Sequence, residues 1–117
     1  MDNIVNNLYN IYQQLLENNP EKWVNAAGEV CFMFSDNGLT ICAYFDSNNI
    51  PCISLYSVQG GSIKNEIIIR QNSHPEDYNS FIGLYNRIKE QSDKNKFIAI
   101  QNDIQSNSEG LTFLNHH

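Results

Sequence analysis

Apolar residues recur along this chain with two different spacings, and the spacing changes twice. Over residues 2–18 they return every three or four positions, which predicts an amphipathic helix with Asp2 at its N-cap and Pro20 beyond its end. Over residues 29–70 they alternate with other residues, as they do in β-strands. Over residues 75–91 the helical spacing returns, with Pro75 in the first turn. The predicted order is helix, strands, helix.

Turn signals divide residues 29–70 into four predicted strands, at 29–34, 39–46, 52–58 and 62–70. Asn37-Gly38 favours a tight hairpin turn because both residues tolerate positive φ, and Gly60-Gly61 favours a second one. The break between them contains Pro51. Such short connections between successive strands predict an antiparallel meander.

The remaining segments are shorter. Trp23 falls in a predicted connecting segment, where it would plug the end of the core. Residues 92–96 are predicted as a polar loop, 97–104 as a strand or a final helix, and 110–114 as a short terminal strand. Two amphipathic helices can cover one face of a sheet. The predicted fold is therefore a single α+β domain over residues 1–117, a two-layer sandwich of an N-terminal helix, a four-stranded antiparallel meander, a second helix and a short C-terminal strand or helix.

Each predicted strand presents two sets of side chains to opposite faces of the sheet. One set is strongly apolar and is assigned to the core beneath the helices: Val30, Phe32, Phe34, Leu39, Ile41, Phe45, Ile53, Leu55, Ile67 and Ile69. The other set is mixed: Cys31, Met33, Thr40, Cys42, Tyr44, Cys52, Tyr56, Glu66 and Ile68. A solvated face would be mostly charged or rich in Thr and Ser, whereas Met and Tyr are enriched at protein interfaces. Two interpretations stay open: this second face binds another protein or a second copy of the chain, or residues 97–114 fold back over it.

The charge balance narrows the class of partner. The chain has 7 Lys and Arg against 13 Asp and Glu, a formal net charge of -6. Binding to nucleic acid or to an anionic membrane needs clusters of Lys and Arg, so neither partner is expected. An acidic surface suits a basic protein partner, or serves only solubility.

The sequence carries no signal peptide and no run of apolar residues long enough to span a membrane, so we expect a cytoplasmic protein. Its three cysteines, Cys31, Cys42 and Cys52, are then expected to be reduced thiols.

Motifs that would indicate an enzyme are absent from the sequence, which has no P-loop, GxGxxG, HExxH or CxxC. A Cys–His nucleophile would have to use His74, because His116 and His117 stand at the end of the chain. The cysteines also lack the close spacing of zinc ligands. We therefore predict no catalytic residues, no cofactor and no metal site, and a protein that is not an enzyme.

Three sequence features together carry a family resemblance. A Pro-x-x-Trp step, Pro20-Glu21-Lys22-Trp23, follows the first helix and precedes consecutive hairpin strands, and the later helix contains Leu84-Tyr85-Asn86-Arg87-Ile88. In these features, and in the order of elements over most of its length, the chain resembles the YezG-like immunity proteins. Proteins of that family neutralise toxins secreted by bacterial competitors. The resemblance implies a cytoplasmic inhibitor that binds a cognate toxin domain, often a nuclease.

The expected function is thus that of an immunity protein, or antitoxin, that binds a basic nuclease domain and occludes its active site. The residues expected to bind this partner are Met33, Asp36, Tyr44, Asp46, Tyr56 and Glu66. One alternative is a chaperone of the type III secretion kind, which is usually a dimer that cradles an unfolded effector segment. A small enzyme is a further alternative, and homodimerisation stays open.

Overall fold

The structure is a computed structural model in which residues 2–106 are described. The prediction of an α+β fold is confirmed. The predicted terminal strand at 110–114 lies outside the described residues. The elements are α1 (Asn3–Asn18), a short 3-10 helix (Pro20–Lys22), β1 (Trp23–Ala27), β2 (Cys31–Asp36), β3 (Leu39–Asp46), β4 (Cys52–Gln59), β5 (Ser62–Arg70) and α2 (Pro75–Ser106).

Helix α1 agrees with its predicted limits. The Asp2 carboxylate accepts a hydrogen bond of 2.9 Å from the Val5 N–H, which satisfies one of the free donors at the helix start. The helix ends at Asn18. It buries Tyr12 and Leu16, and the Tyr12 hydroxyl reaches the sheet, where it donates a hydrogen bond of 2.8 Å to the Cys42 carbonyl. This bond joins α1 to the middle of the sheet.

The strands form one antiparallel sheet in chain order, β1-β2-β3-β4-β5. The antiparallel meander is confirmed, but the number of strands is corrected from four to five. The additional strand begins at Trp23, which we expected in a connecting segment, and pairs with β2. The first predicted strand, 29–34, is also displaced: a turn with Gly28 at φ +59 precedes β2, which begins at Cys31.

The two tight turns have the predicted chemistry. Asn37 and Gly38 have φ of 49 and 82, and Gly60 and Gly61 have φ of 58 and 79. Positive φ at both central residues gives a hairpin turn whose twist matches that of the strands, and glycine adopts it without steric cost. Both turns therefore fix the register of the hairpins they connect.

The core lies between one face of the sheet and the two helices. Each large side chain that is fully buried there contributes about 1.5–3 kcal/mol to stability. The cluster comprises Tyr12, Leu16, Trp23, Phe32, Phe34, Ile41, Ala43, Ile53, Leu55, Ile69, Tyr78, Phe81, Leu84, Tyr85 and Ile88. Two residues of the predicted core are instead exposed, Val30 at 38% and Leu39 at 44%, because one precedes β2 and the other opens β3 at the sheet margin.

Helix α2 is much longer than predicted, because it continues through the predicted loop at 92–96 and the ambiguous segment at 97–104. The Asn95 amide explains the continuation. Its Nδ2 donates to the carbonyls of Pro20 at 2.7 Å and Trp23 at 2.8 Å, and its Oδ1 accepts from Gln91 at 2.9 Å. Polar residues on the inner side of the helix thus bind the backbone at the start of β1.

Residues 96–106 are all exposed, so this end of α2 does not cover a face of the sheet. The interpretation that the segment from 97 folds back over the second face is therefore wrong for residues 97–106, and residues 107–114 lie outside the described part of the chain.

Candidate functional site

The second face of the sheet is the candidate site. Among residues 2–106 no helix or strand lies over it, because both helices pack on the core side. We call it the open face. Alternation along the paired strands assigns to it Val24, Cys31, Met33, Ser35, Thr40, Cys42, Tyr44, Asp46, Cys52, Ser54, Tyr56, Glu66, Ile68 and Arg70.

The strand register arranges the middle of the open face in rows. In one row Val24 lies opposite Met33, Met33 opposite Cys42, and Cys42 opposite Tyr56. Cys42 is only 3% exposed, whereas Met33 and Tyr56 are half-buried. The row is therefore an apolar strip with a thiol at its base and two larger side chains beside it.

A second row runs parallel to the first. Cys31 lies opposite Tyr44, Tyr44 opposite Ser54, and Ser54 opposite Ile68. Cys31 and Ser54 are buried, and Tyr44 and Ile68 are half-buried. Diagonal neighbours on adjacent strands lie about 7–8 Å apart, within reach of aromatic side chains, so Tyr44 and the tyrosine of the first row, Tyr56, can contact one partner together.

The two rows meet at a small polar cluster. The Cys31 Sγ lies 3.3 Å from the Tyr56 Oη. A hydrogen bond from the Cys42 thiol lowers the pKa of Cys31, against the opposing effect of burial, and the Tyr56 hydroxyl lowers it further. The same Cys31–Cys42 hydrogen bond, together with burial, raises the pKa of Cys42. All three cysteines are free, and Cys31 and Cys42 are buried.

The charged residues of the open face lie at its margins, Asp46 and Arg70 in the row at the strand ends and Glu66 on the edge strand β5. Asp46 lies opposite Cys52, and Cys52 lies opposite Arg70. The Asp46 Oδ1 accepts a hydrogen bond of 2.9 Å from the Asn48 N–H, which holds this carboxylate at the start of the β3–β4 loop. Glu66 is exposed on β5. Burial raises the pKa of the Cys52 thiol, and the negative charge of Asp46 adds to the effect.

Asp36 is separated from the other predicted binding residues. It follows the alternation of Phe34 and so points to the helix side of the sheet end. There it forms a salt bridge of 3.2 Å with Lys22 of the short helix. The structure thus brings together five of the six predicted residues on the open face and leaves Asp36 outside it.

The open face includes residues that sequence reasoning did not single out. Val24 was missed because β1 was not predicted, and its 44% exposure adds apolar surface beside Met33. Arg70 was missed because it is the last residue of β5, where an alternating pattern gives little guidance. The register of β4 with β5 places it opposite Cys52.

A cleft lies elsewhere, between α2 and β1. It has a volume of about 510 Å³ and is lined partly by Val24, Asn25, Ser92 and Asn95. Within residues 2–106 the Ser92 hydroxyl and the Trp23 indole N–H are buried without a hydrogen-bond partner. The Asn95 amide is already occupied by backbone carbonyls.

Two other kinds of feature are absent from the described residues. No group of three or more His, Cys, Asp or Glu side chains within residues 2–106 is placed to hold a metal ion. No helix in the same part of the chain has both the length and the apolar character needed to cross a membrane.

Comparisons of the chain with protein-family models, with curated proteins and with solved structures gave no match.

Proposed function

We propose that this protein is an immunity protein, or antitoxin, that acts in the cytoplasm by binding a basic toxin domain, such as a nuclease, through the open face. One observation carries the proposal: the centre of the open face is uncharged and half-buried, while its carboxylates stand at the margin. This distribution is that of an interface, with an apolar centre inside a polar rim.

The anchors of the proposed interface are Met33, Tyr44 and Tyr56. Aromatic side chains in well-packed central positions provide most of the binding energy in many complexes, and truncation of a good anchor costs about 2 kcal/mol or more. Tyr56 is held by the sheet beneath it, since its hydroxyl lies 3.3 Å from the Cys31 sulfur. A preorganised anchor loses little side-chain entropy on binding.

The charges support a basic partner. The chain has a formal net charge of -6, and Asp46 and Glu66 lie at the margin of the proposed interface. Nucleases present positive charge to their phosphate substrate, so an acidic protein is attracted to the same groove that the substrate uses. Complementary charge of this kind accelerates association and weakens with added salt.

The first arm of the test removes the anchors. The partner is captured from a lysate of the source organism, identified, purified and used in binding kinetics. Tyr44→Ala with Tyr56→Ala should accelerate dissociation by at least about tenfold, which corresponds to the loss of one good anchor. The matched control is Phe97→Ala, because Phe97 is 67% exposed on α2, away from the open face. The control should dissociate like the parent protein.

The second arm reverses the marginal charges. Asp46→Lys with Glu66→Lys should slow association and flatten its dependence on salt, with little change in dissociation. The control, Glu21→Lys with Glu76→Lys, makes the same change in net charge at exposed positions outside the open face. If both pairs slow association equally, net charge alone steers the partner, and the marginal carboxylates have no special role.

The biological readout is protection. Co-expression with the captured toxin should rescue bacterial growth, and the double tyrosine variant should fail to rescue although it folds. The proposal is wrong if the captured protein is not toxic, or if the folded tyrosine variant binds and protects like the parent. Capture of an unfolded effector segment would instead favour the secretion-chaperone alternative.

A further inference from the structure

The two edges of the sheet differ. At one edge β1 has five residues, and its start is engaged by the Asn95 amide of α2. At the other edge β5 has nine residues, of which Glu66 and Arg70 are exposed and Ile68 is half-buried. A long edge strand with an apolar stretch is a template for pairing with another strand, and proteins usually protect such edges. The edge of β5 therefore needs an explanation.

Backbone hydrogen bonding shows which groups of β5 point outward. The Gln71 N–H donates to the Pro51 carbonyl at 2.9 Å, one step beyond the pair of Arg70 with Cys52. Direction alternates along an antiparallel ladder, so the odd-numbered residues 67, 69 and 71 bond towards β4. The N–H and C=O groups of Glu66, Ile68 and Arg70 consequently point away from the sheet and can pair with a further strand.

The sequence of this edge is complementary to itself. If two β5 strands pair antiparallel about Ile68, Ile68 lies opposite its own copy and Glu66 lies opposite Arg70 twice. On the core side Ile67 lies opposite Ile69 of the other copy. Each outward N–H group of residues 66–70 then faces a C=O group of the other copy, and each outward C=O group faces an N–H group, because two-fold symmetry repeats every contact. Opposite charges that face each other across strands are stabilising.

The neighbouring register lacks this match. Pairing about Ile67 would place Lys64 opposite Arg70, and like charges facing each other across strands are destabilising. The bulge between Leu55 and Ser57 and the positive φ of 54 at Asn65 also interrupt the regular strand on the N-terminal side of Glu66. Residues 66–70 form the regular part of β5 on the C-terminal side of this interruption, and they are the residues that match about Ile68.

We propose that two copies of this protein pair through β5, about Ile68, to form one continuous ten-stranded sheet. The two-fold axis is perpendicular to the sheet, so the two open faces lie side by side on the same surface. The dimer buries strand edges and leaves both open faces accessible. The inference does not rest on the proposed function, although Glu66, Ile68 and Arg70 of this edge also belong to the open face.

The test uses analytical ultracentrifugation of the full chain, at concentrations up to about 1 mM, where even weak specific contacts are populated. The parent protein should approach twice its 13.4 kDa mass. Ile68→Lys should weaken the dimer at least about tenfold, because two lysines would face each other at the axis. Ile63→Lys is the matched control: it lies on the same strand, is 57% exposed and falls outside the pairing register.

Exchange of the charges at Glu66 and Arg70 gives a more specific test of the pairing register. Glu66→Arg and Arg70→Glu should each weaken self-association at least about tenfold, because each places like charges opposite one another twice. Mixed together, the two single variants should form a heterodimer, since every arginine then faces a glutamate. The double variant that exchanges both charges should dimerise like the parent. Both positions are exposed, so these changes leave the core intact.

Three results would overturn the proposal. The first is a parent protein that stays monomeric at the highest concentration. The second is a dimer that resists Ile68→Lys and both single charge reversals, which would place the interface elsewhere, for example on the exposed apolar end of α2. The third is failure of the folded single variants to pair with each other.

Discussion

The attachment of α2 to β1 depends on one side chain, and its removal has a calculable cost. Asn95 donates hydrogen bonds of 2.7 and 2.8 Å to the carbonyls of Pro20 and Trp23. Asn95→Ala removes both bonds and leaves two partly buried carbonyls without this donor. A lost hydrogen bond costs about 0.5–1.5 kcal/mol net, and more where a buried group stays unsatisfied. The two bonds together therefore account for about 2–3 kcal/mol.

The substitution also has a favourable component, because alanine favours the helix over asparagine by up to about 0.7 kcal/mol. The expected net loss is thus about 1.5–2.5 kcal/mol. Asn102→Ala is the matched control: Asn102 is exposed on the same helix, so the same chemical change there should be neutral or slightly stabilising. The difference between the two variants isolates the contribution of the hydrogen bonds.

Urea unfolding measures this difference. For a denaturant dependence of about 1–3 kcal/mol per M, the midpoint of Asn95→Ala should fall by about 1 M relative to Asn102→Ala. Trp23 is the only tryptophan and is fully buried beside this junction, so its fluorescence reports on the region directly. Equal midpoints for the two variants would refute the role assigned to the Asn95 amide.

Three further predictions concern stability. Replacing Cys31 or Cys42 singly by Ala should cost about 1–3 kcal/mol of stability. Cys42→Ala should leave partner binding intact, and loss of binding in the folded Cys42→Ala variant would reveal a reactive thiol. Burial raises the pKa of Tyr85 to about 12 from 10.0, so the unfolded chain deprotonates first. The contribution of Tyr85 to stability, fully present below pH 10, should therefore decline by about 2–3 kcal/mol as pH approaches 12. Urea titrations should show a shallower decline for Tyr85→Phe, and an identical decline would contradict the assignment. Ile104→Ala, at the exposed end of α2, should change stability by less than about 0.5 kcal/mol in urea unfolding, whereas Phe81→Ala in the core should cost about 3–5 kcal/mol.

Hydrophobic periodicity predicted the elements that bury a regular face. Helix α1, the hairpin at Asn37-Gly38 and the antiparallel order all follow from local patterns and agree with the structure. Strand β1 escaped detection because only its first residue, Trp23, is buried. With four exposed residues after it, this strand has no alternating signal to read.

The full length of α2 was unpredictable for a different reason. Its inner positions beyond Ile88 are polar, Ser92 and Asn95, and their environment is created by the start of β1. Its outer positions near the end are apolar and exposed, among them Phe97 and Ile104. A packed helix is recognised by apolar residues on its inner side and polar residues on its outer side, and this part of α2 has the opposite arrangement. The sequence pattern therefore could not predict that α2 continues beyond Ile88.

The candidate surface was partly predictable, since alternation places Met33, Tyr44 and Tyr56 on one face as soon as the strands are known. The position of Asp36 was not, because its salt bridge with Lys22 depends on how the chain turns between α1 and β1. A contact that depends on the shape of an irregular connection, such as this salt bridge, cannot be predicted from the periodicity of the sequence. Recognition of a partner by this face remains a prediction.

The chain-order meander also bears on the rate and route of folding. Each strand pairs with the next along the chain, so every step of sheet growth closes only a short loop. Low contact order of this kind favours fast folding for a sheet-containing protein. We expect the β2–β3 hairpin, with its preorganised turn, to form early in the transition state, and α1 to dock late, because its contacts with α2 join opposite ends of the chain. Substitutions in that turn should therefore slow folding, whereas substitutions at the contact between the helices should mainly accelerate unfolding.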